Sequence, residues 1–415
     1  MVLLSHPTGN ANVAAVAAAL DEHQLLSAFY TCIHWRADAP LARLVPGPLR
    51  RTLERRARVH LPPEQVFTRP FRELVRTGLI RAGRRNLVAA EDNFFSIDSV
   101  YRDLDRFVAR RLSSHSGIRG VYAYEDGALH QFRAARARGI HCIYDLPIGY
   151  WRVNRAISEE EAERQPEWKG TLNSLADNAA KCARKDEEIA LADTILVASS
   201  FTQSTLAAYP GKAANVVVIP YGTPTLHSEP RRLTDRNQPL RVLFVGSLSQ
   251  RKGISYLFDA VRQLAGSVEL TIIGRKVGHS ALLDQQCIHH RWIPSLPHGE
   301  ILREMRNHDV FVFPSLFEGF GLVIGEALSQ GLPVITTTNT GGPDILRDGV
   351  DSFIVPIRDA DAIASRLTHL HEDRELLLRM SHAALAQAQT LTWSAYQQGV
   401  AAAVRVAIGN AQPPR

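Results

Sequence analysis

Two carboxylates, Glu318 and Glu326, lie eight positions apart in the run FPSLFEGFGLVIGE. The apolar run 309–313 before them is of strand type, and the run 322–330 after Glu318 is compatible with a helix. The pattern therefore predicts a strand, a tight glycine loop and the start of a helix. The first N–H groups of a helix have no internal partner, and the helix dipole is positive at that end. Such a site suits a phosphate or a diphosphate.

The loop between the two carboxylates is predicted to contact a ligand through its backbone. Gly319 and Gly321 let a ligand approach the main chain closely, because they carry no side chain. Phe320, Gly321 and Leu322 are expected to offer backbone N–H groups to a phosphate or a sugar.

The two carboxylates themselves are predicted to hold hydroxyl groups of such a ligand. Glu318 lies on the loop, where a sugar hydroxyl can reach it. Glu326 lies in the first turns of the helix, where it can accept hydrogen bonds from a ribose diol. The alternative interpretation is an anion-binding helix start without transfer chemistry, in which Glu326 is an exposed helix charge.

A second loop, VGSLSQRKG, follows the predicted strand 241–245 and ends in two adjacent cations, Arg251 and Lys252. Negative charge concentrates on the leaving phosphate as a glycosidic bond to a diphosphate breaks. A positioned cation in a water-poor cleft stabilises this change most in the transition state. The alternative is an ordinary solvent-facing pair of cations before a helix.

Strand–loop–helix units repeat along the chain, starting with residues 2–20, and the polar, proline-bearing stretch 223–239 interrupts them. This alternation predicts two doubly wound parallel sheets that face each other across a cleft. We expect an N-terminal Rossmann-like domain at 1–225, a C-terminal Rossmann-like domain at 226–393 and a last helical segment at 394–415.

The run from Glu318 to Glu326, preceded by Phe-Pro-Ser and followed by ALSQGLPV, resembles the signature of retaining GT-B-fold glycosyltransferases of family 4. The resemblance implies a first domain that binds the acceptor, a second that binds the donor, and a last helix that crosses back onto the first. It implies a UDP-, GDP- or ADP-linked sugar as co-substrate, with no permanently bound cofactor and no metal ion. It also implies retention, in which the leaving phosphate itself can take the acceptor proton.

The resemblance carries over to individual residues. In this family the second loop usually gives an arginine and a lysine to the diphosphate, and Lys252 matches the lysine. Ser247 stands where the arginine is common, so Arg251 is expected to replace it. With Glu318 these two cations form the predicted catalytic set. Gly9, in the loop after the first strand, is expected to face the donor across the cleft.

Three first-domain residues are further candidates for the chemistry. Family members often place a histidine at the end of a first-domain strand near the sugar, but this chain has the run DLPIGYW there. His6, Asp145 and Tyr150 are therefore considered, although for each a structural role is the favoured interpretation.

The composition limits the class of protein. A chain of 415 residues with 45% apolar and 22% charged residues fits a globular protein with two large domains. No apolar run approaches the length of about 20 residues that spans a bilayer, and no signal peptide is recognised. Four scattered cysteines favour a reducing cytoplasm over a disulfide scaffold or a zinc site.

Positive charge is concentrated in residues 41–85, which hold twelve arginines and three glutamates, a net charge of +9. Apolar residues are interleaved with the arginines. Such a segment suits peripheral contact with an anionic membrane, for example on the inner face of the cytoplasmic membrane, or contact with an anionic acceptor. The alternative is a solvated basic face. Nucleic acid is disfavoured as a partner, because no recognised binding motif accompanies the charge.

Two other functions compete with sugar transfer. One is a non-catalytic nucleotide-sugar binding protein, and the other is a phosphorylase or epimerase that uses the same type of cleft. The sequence leaves open the base of the nucleotide, the sugar, the acceptor and the linkage.

Overall fold

The structure is a computed structural model that describes residues 1–35, 50, 59–172, 177–227 and 237–409. Within this part of the chain, every strand belongs to one of two parallel sheets. Much of the predicted basic segment, namely residues 41–49 and 51–58, lies outside the described residues.

The first sheet has seven strands in the order β3-β2-β1-β4-β5-β6-β7, and all neighbouring pairs are parallel. Strands β1, β4 and β6 are buried along their whole length, as expected for a sheet covered on both faces. The strands are β1 (Val2–Ser5), β2 (Leu26–Thr31), β3 (Val66–Thr68), β4 (Gly120–Tyr124), β5 (His141–Leu146), β6 (Thr194–Val197) and β7 (Asn215–Val218).

The α-helices of this half connect its strands or extend the domain. They are α1 (Ala11–Glu22), α2 (Phe71–Arg81), α3 (Asn86–Ala89), α4 (Ile97–Arg111), α5 (Leu129–Arg136), α6 (Trp151–Arg164), α7 (Ala179–Leu191) and α8 (Ser200–Thr205). A 3-10 helix, Pro166–Thr171, follows α6.

The second sheet has six parallel strands in the order β10-β9-β8-β11-β12-β13. They are β8 (Leu240–Val245), β9 (Val268–Ile273), β10 (Arg291–Ile293), β11 (Val310–Phe313), β12 (Val334–Thr337) and β13 (Ser352–Val355). The α-helices are α9 (Ile254–Gln263), α10 (Ala281–His289), α11 (His298–Asn307), α12 (Leu322–Ser329), α13 (Gly342–Ile345), α14 (Ala360–Glu372), α15 (Arg374–Thr390) and α16 (Trp393–Gly409).

The two doubly wound sheets confirm the predicted fold class. Several strand bounds differ from those that the apolar runs predict. The run 29–34, for example, predicts a strand there, whereas the strand is Leu26–Thr31. Its parallel pairing with β1, in which Val2 faces Leu26 and Ser5 faces Tyr30, sets these bounds. The four cysteines are buried, and no disulfide joins them. No helix of the described chain combines the length and the apolar character that a membrane span requires.

The last helix packs against the first half of the chain. α16 contacts α1 and β5, and its Ile408 methyl lies beside Gly120 at the start of β4. The backbone of Trp393, at the start of α16, lies so close to Gly222 that a Cβ there would stand 2.4 Å from its nitrogen. The chain between the two sheets and the helix that returns from the second are thus packed together.

A buried carboxylate joins the halves on the other side. Glu161, in α6, is 0% exposed, and it accepts hydrogen bonds from Gln250 Nε2 at 2.7 Å and Tyr256 Oη at 2.7 Å. Arg358 Nε donates to its second oxygen at 2.8 Å. Gln250 begins the 3-10 turn that carries Arg251 and Lys252. The position of this turn therefore depends on a side chain from the other half.

Replacing Glu161 with alanine is expected to destabilise the protein by about 3–5 kcal/mol, because it leaves the Arg358 charge and two polar groups without their buried partner. Chemical denaturation would measure the loss. Glu160→Ala is the matched control: this neighbour also pairs with Arg358, at 2.7 Å, but its side chain is 59% exposed. Its loss should cost less than about 1 kcal/mol. Equal effects of the two variants would contradict this account.

Candidate active site

The two predicted ligand loops meet at the carboxyl ends of β8 and β11. Lys252 is buried, and its ammonium contacts the Glu318 carboxylate and lies 4.8 Å from the centre of the Phe313 ring. Arg251 Nη1 donates to the Phe317 carbonyl at 2.7 Å and lies 3.7 Å from Glu318 Oε2. The structure therefore brings together the three residues of the predicted catalytic set, 66 positions apart in the chain. Ser247 is half-buried in the loop between β8 and the turn.

The charges of this cluster are unequal. Two cations face one carboxylate, so the cluster holds an excess of positive charge in a largely dry place. Burial lowers the pKa of Lys252, and the neighbouring Arg251 lowers it further, whereas contact with an anion favours the charged form. Burial also lowers the pKa of Arg251. An arriving dianion would relieve this repulsion, which gives the cluster the electrostatics of a diphosphate site.

In the glycine loop, Gly321 has a backbone conformation that permits a tight turn into α12. Gly321 adopts φ = 85°, in the left-handed region that favours glycine, and forms the N-terminal cap of α12. Its carbonyl accepts a hydrogen bond from the backbone N–H of Ile324 at 2.8 Å. Leu322, the first residue of α12, is half-buried. The start of α12 thus follows directly on the loop that carries Glu318.

Gly319 lies against the other half of the molecule. A Cβ at this position would stand 1.9 Å from the carbonyl oxygen of Pro147. The Gly319 carbonyl accepts hydrogen bonds from Thr202 Oγ1 at 2.9 Å and from Ser199 Oγ, both at the start of α8. The close approach that this glycine permits in the structure is therefore to the first half of the chain. Its predicted contact with a ligand stays a prediction.

Phe320 is buried beneath the loop. Its ring lies 5.2 Å from the ring of Tyr221, edge to face, in the chain between the two sheets. Its carbonyl accepts a hydrogen bond from Gly341 N at 2.8 Å. The side chain thus fixes the loop to its neighbours while the backbone remains at the start of α12.

Glu326 lies in the second turn of α12, away from the cation cluster. Its Oε1 is 3.0 Å from His298 Nε2, and its side chain is half-buried. In β10, Trp292 Nε1 donates a hydrogen bond to the Gly274 carbonyl at 2.9 Å, and Lys276 Nζ lies 4.4 Å from the Trp292 ring. The two predicted carboxylates are therefore held in separate environments, one by cations and one by a histidine.

The first-domain candidates are packed into structural contacts. Gly9 is half-buried in the loop between β1 and α1. His6, before it, accepts a hydrogen bond at Nδ1 from Thr8 N at 3.0 Å, and its ring packs on Tyr124 with centroids 4.8 Å apart. Burial lowers the pKa of His6 to about 4, so the imidazole is neutral at pH 7. Tyr150 donates to Asp186 at 2.5 Å.

Asp145 is buried among tyrosines near the end of β5. It accepts a hydrogen bond from Tyr122 Oη at 2.7 Å, and both line a cavity of about 10 Å³ together with Tyr221 and Tyr396. Burial raises the pKa of Asp145 to about 7, and the hydrogen bond from Tyr122 opposes that rise. The cavity borders α16, which returns from the second sheet, so Asp145 supports the packing between the halves.

Comparisons with known proteins bear on the family and on the fold. Residues 228–387 match the family model described as glycosyl transferases group 1. Amylovoran biosynthesis glycosyltransferase AmsK of Erwinia amylovora is 31% identical over 170 residues, which are 37% of this chain and 41% of that protein. The matched part is less than half of the length of the curated relatives at the top of the comparison.

Solved structures match over almost the whole chain. A sucrose-phosphate synthase from Thermosynechococcus elongatus has a TM-score of 0.67 at 16% identity, covering 98% of this chain and 99% of that chain. Anabaena Alr3699/HepE, solved in complex with UDP and glucose, has a TM-score of 0.61 at 15% identity, with 97% and 98% covered. The protein has the GT-B fold, and residues 228–387 of its second half match the group 1 model.

Sequence reasoning missed the polar contacts between the halves of the GT-B fold. Asp344 Oδ2, for example, accepts a hydrogen bond from Ser200 N at 3.0 Å. Ser199 and Thr202 close on Gly319 in the same place. The motif Ser-x-x-Thr before a helix indicates a cap for that helix, and nothing in it indicates a partner from the second half of the chain.

The buried Asp145 predicts a pH-dependent stability. Its folded pKa of about 7 lies above the ordinary value of 3.8, so the folded state binds the proton more tightly than the unfolded state. This contribution is favourable to folding at low pH and is lost as pH rises from about 4 to about 7. Relative to wild type, Asp145→Asn should therefore gain about 2–4 kcal/mol of unfolding free energy between these pH values. Denaturation curves of both proteins at about pH 4.5 and about pH 7.5, near the ends of this window, would measure the gain. A difference in unfolding free energy that does not change with pH would contradict the raised pKa of Asp145.

Proposed function

We propose that the protein is a retaining, metal-independent glycosyltransferase that moves a sugar from a nucleoside diphosphate sugar to a hydroxyl of a glycan or a lipid-linked glycan. The observation that carries this proposal is the convergence of Arg251, Lys252 and Glu318 beside the start of α12. The match of residues 228–387 to the group 1 family supports the same class of reaction.

The cation cluster suits the donor diphosphate. In the proposed complex, Arg251 and Lys252 bind its oxygens, and the backbone N–H groups at Phe320, Gly321 and Leu322 add donors at the positive end of α12. Negative charge grows on the phosphate oxygen as its bond to the sugar carbon breaks, so the two cations stabilise the transition state more than the bound donor. Ser247 is proposed to contact the same phosphates from the loop after β8.

The two carboxylates are proposed to bind the two other parts of the donor, the sugar and the ribose. Glu318, freed from Lys252 when the diphosphate arrives, is proposed to hold sugar hydroxyls and to face the positive charge that develops on the sugar ring. Glu326 is proposed to accept hydrogen bonds from the ribose, with His298 at 3.0 Å keeping the carboxylate oriented. Gly9 would border the donor from the first half of the cleft.

Retention is proposed because the first-domain candidates are poorly suited to act as a base. His6 is packed against tyrosine rings, Asp145 is bonded to Tyr122, and Tyr150 is bonded to Asp186. In the proposed step, the bond between the sugar carbon and the phosphate oxygen breaks. The acceptor oxygen bonds to that carbon on the same face, and its proton passes to the departing phosphate oxygen.

The relatives inform the choice of substrates within this proposal. HepE is described in complex with UDP and glucose, which supports a UDP-linked donor, with GDP- and ADP-linked donors as the alternatives. AmsK is described as an enzyme of amylovoran biosynthesis, which supports a glycan acceptor. The four scattered cysteines favour a reducing compartment, so we propose that the reaction takes place in the cytoplasm.

Binding of nucleoside diphosphates would test the donor site. In calorimetry with UDP, GDP and ADP, one base should bind best, and Lys252→Ala should weaken binding by about tenfold or more because a charge-assisted hydrogen bond is lost. Glu326→Ala should weaken it comparably. Glu300→Ala, which removes an exposed carboxylate from α11, and Lys212→Ala, which removes an exposed lysine, are the matched controls. Wild-type affinity in both site variants would reject the residue assignment.

The stereochemistry of the product would test the transfer reaction. The new glycosidic bond, read by NMR, should keep the anomeric configuration of the donor sugar, and a chelator should leave the rate unchanged. An inverted product would overturn the mechanism while leaving donor binding intact. Nucleotide binding without turnover across a panel of acceptors would instead favour the non-catalytic binder, and absorbance of a pyridoxal cofactor would favour a phosphorylase.

A further inference from the structure

Helix α2 buries a carboxylate and exposes two large apolar side chains. Phe71 and Leu74 point outward, and the Phe71 side chain is 60% exposed, whereas Glu73 between them is completely buried. The Glu73 carboxylate accepts hydrogen bonds from Arg76 at 2.7 and 3.1 Å. A surface helix normally turns its apolar face to the core and its charges to water. In α2 the apolar residues Val75, Leu79 and Ile80 are half-buried, but Phe71 and Leu74 face water while a carboxylate is buried. These two exposed side chains indicate an apolar partner for the outer face of the helix.

The exposed apolar side chains continue beyond α2. Phe94 is 58% exposed, and its ring lies 4.9 Å from that of Phe95, which in turn lies 6.3 Å from Phe71. Five of the eleven exposed large apolar side chains of the described chain fall within residues 71–97; they are Phe71, Leu74, Leu87, Phe94 and Ile97. Contiguous exposed apolar surface of this kind marks an interaction site. We call residues 71–97 the apolar–arginine surface.

Arginines accompany this apolar surface. Arg81, Arg84 and Arg85 are exposed at the end of α2 and just after it. Arg72 lies over the Phe94 ring, with 3.9 Å between the guanidinium carbon and the ring centre. Of the carboxylates in this span, Asp92 alone is exposed.

The geometry points to an anionic lipid bilayer as the partner of this surface, bound peripherally. Aromatic and aliphatic side chains enter the boundary between headgroups and acyl chains, while arginines reach lipid phosphates from the same face. Each basic residue near an anionic bilayer strengthens binding, so the arginines add to the apolar contribution. A second copy of the chain would fit less well, because it would bring the same exposed arginines against each other.

The surface is connected to the cleft between the two halves. Glu91, within this span, lies 2.9 Å from Lys181, and Lys181 lines an interdomain cavity of about 280 Å³ together with Arg251. Membrane binding would thus hold this side of the protein at the bilayer. The inference adds to the proposed function a location where a lipid-linked acceptor is found, but it does not depend on the transfer reaction.

Sedimentation with vesicles would test the inference. The full-length protein should sediment with phosphatidylglycerol-containing vesicles at low ionic strength, and less with pure phosphatidylcholine or at high salt. Arg84→Glu combined with Arg85→Glu should lower the partition coefficient by about tenfold or more, since each basic residue contributes about fivefold. Phe71→Ser combined with Phe94→Ser should lower it at both salt concentrations, because apolar insertion is not screened.

Matched controls exist on the second half of the chain. Ile288→Ser removes an 82% exposed apolar side chain from α10, and Arg303→Glu with Arg379→Glu reverses two exposed arginines. Both controls should sediment like wild type, and all variants should bind nucleoside diphosphate like wild type, which separates this test from that of the donor site. Failure of the wild type to sediment at low salt would overturn the inference. So would a dimer in sedimentation velocity that only the Phe71 and Phe94 substitutions dissociate.

Discussion

A buried ammonium ion must have an anionic partner, and the loops of the candidate site are arranged around that requirement. Lys252 is buried and contacts Glu318, which stands on a loop from a different strand. Because one carboxylate serves both Lys252 and Arg251, the loops after β8 and β11 are held together without neutralising the cluster. The parallel sheet places these loops at one edge, and the cation pair links them there. A catalytic site that binds an anion can hold its loops in this way before the anion arrives.

The same turn is fixed from the other half of the molecule. Glu161 accepts a hydrogen bond from Gln250, which directly precedes the two cations, and from Tyr256 in the helix that follows them. Arg358, at the end of β13, closes the same carboxylate from another direction. The geometry of the cations is therefore a property of both halves together. A movement of one half relative to the other would therefore be transmitted to Lys252 through buried contacts of Gln250, which bonds to both Glu161 and Thr171.

The sequence predicted those parts of the site that depend on local chemistry. The strand at β11, the tight glycine loop around Gly321 and the start of α12 follow from apolar runs, a glycine and a helical pattern within a few residues. The meeting of Lys252 with Glu318 followed from a family resemblance, since no local rule joins residues 66 positions apart. The roles of Glu161, Thr202 and Asp344 were not predicted, because their partners lie in the other half. The exposure of Phe71 and Leu74 in α2 was also not predicted, since the sequence gives the residues of a helix but not which of them the rest of the chain covers.

The distance between the two halves depends in part on two glycines, which carry no side chain. Gly319 brings the loop after β11 against Pro147, and across the same contact a Cβ at Gly149 would stand 2.5 Å from the ring of Phe317. Neither position has room for an alanine, although neither glycine bears a reactive group. Variation at these two sites is therefore limited by how closely two surfaces must meet. Replacing either glycine with alanine would hold the two surfaces apart by about the size of one methyl group.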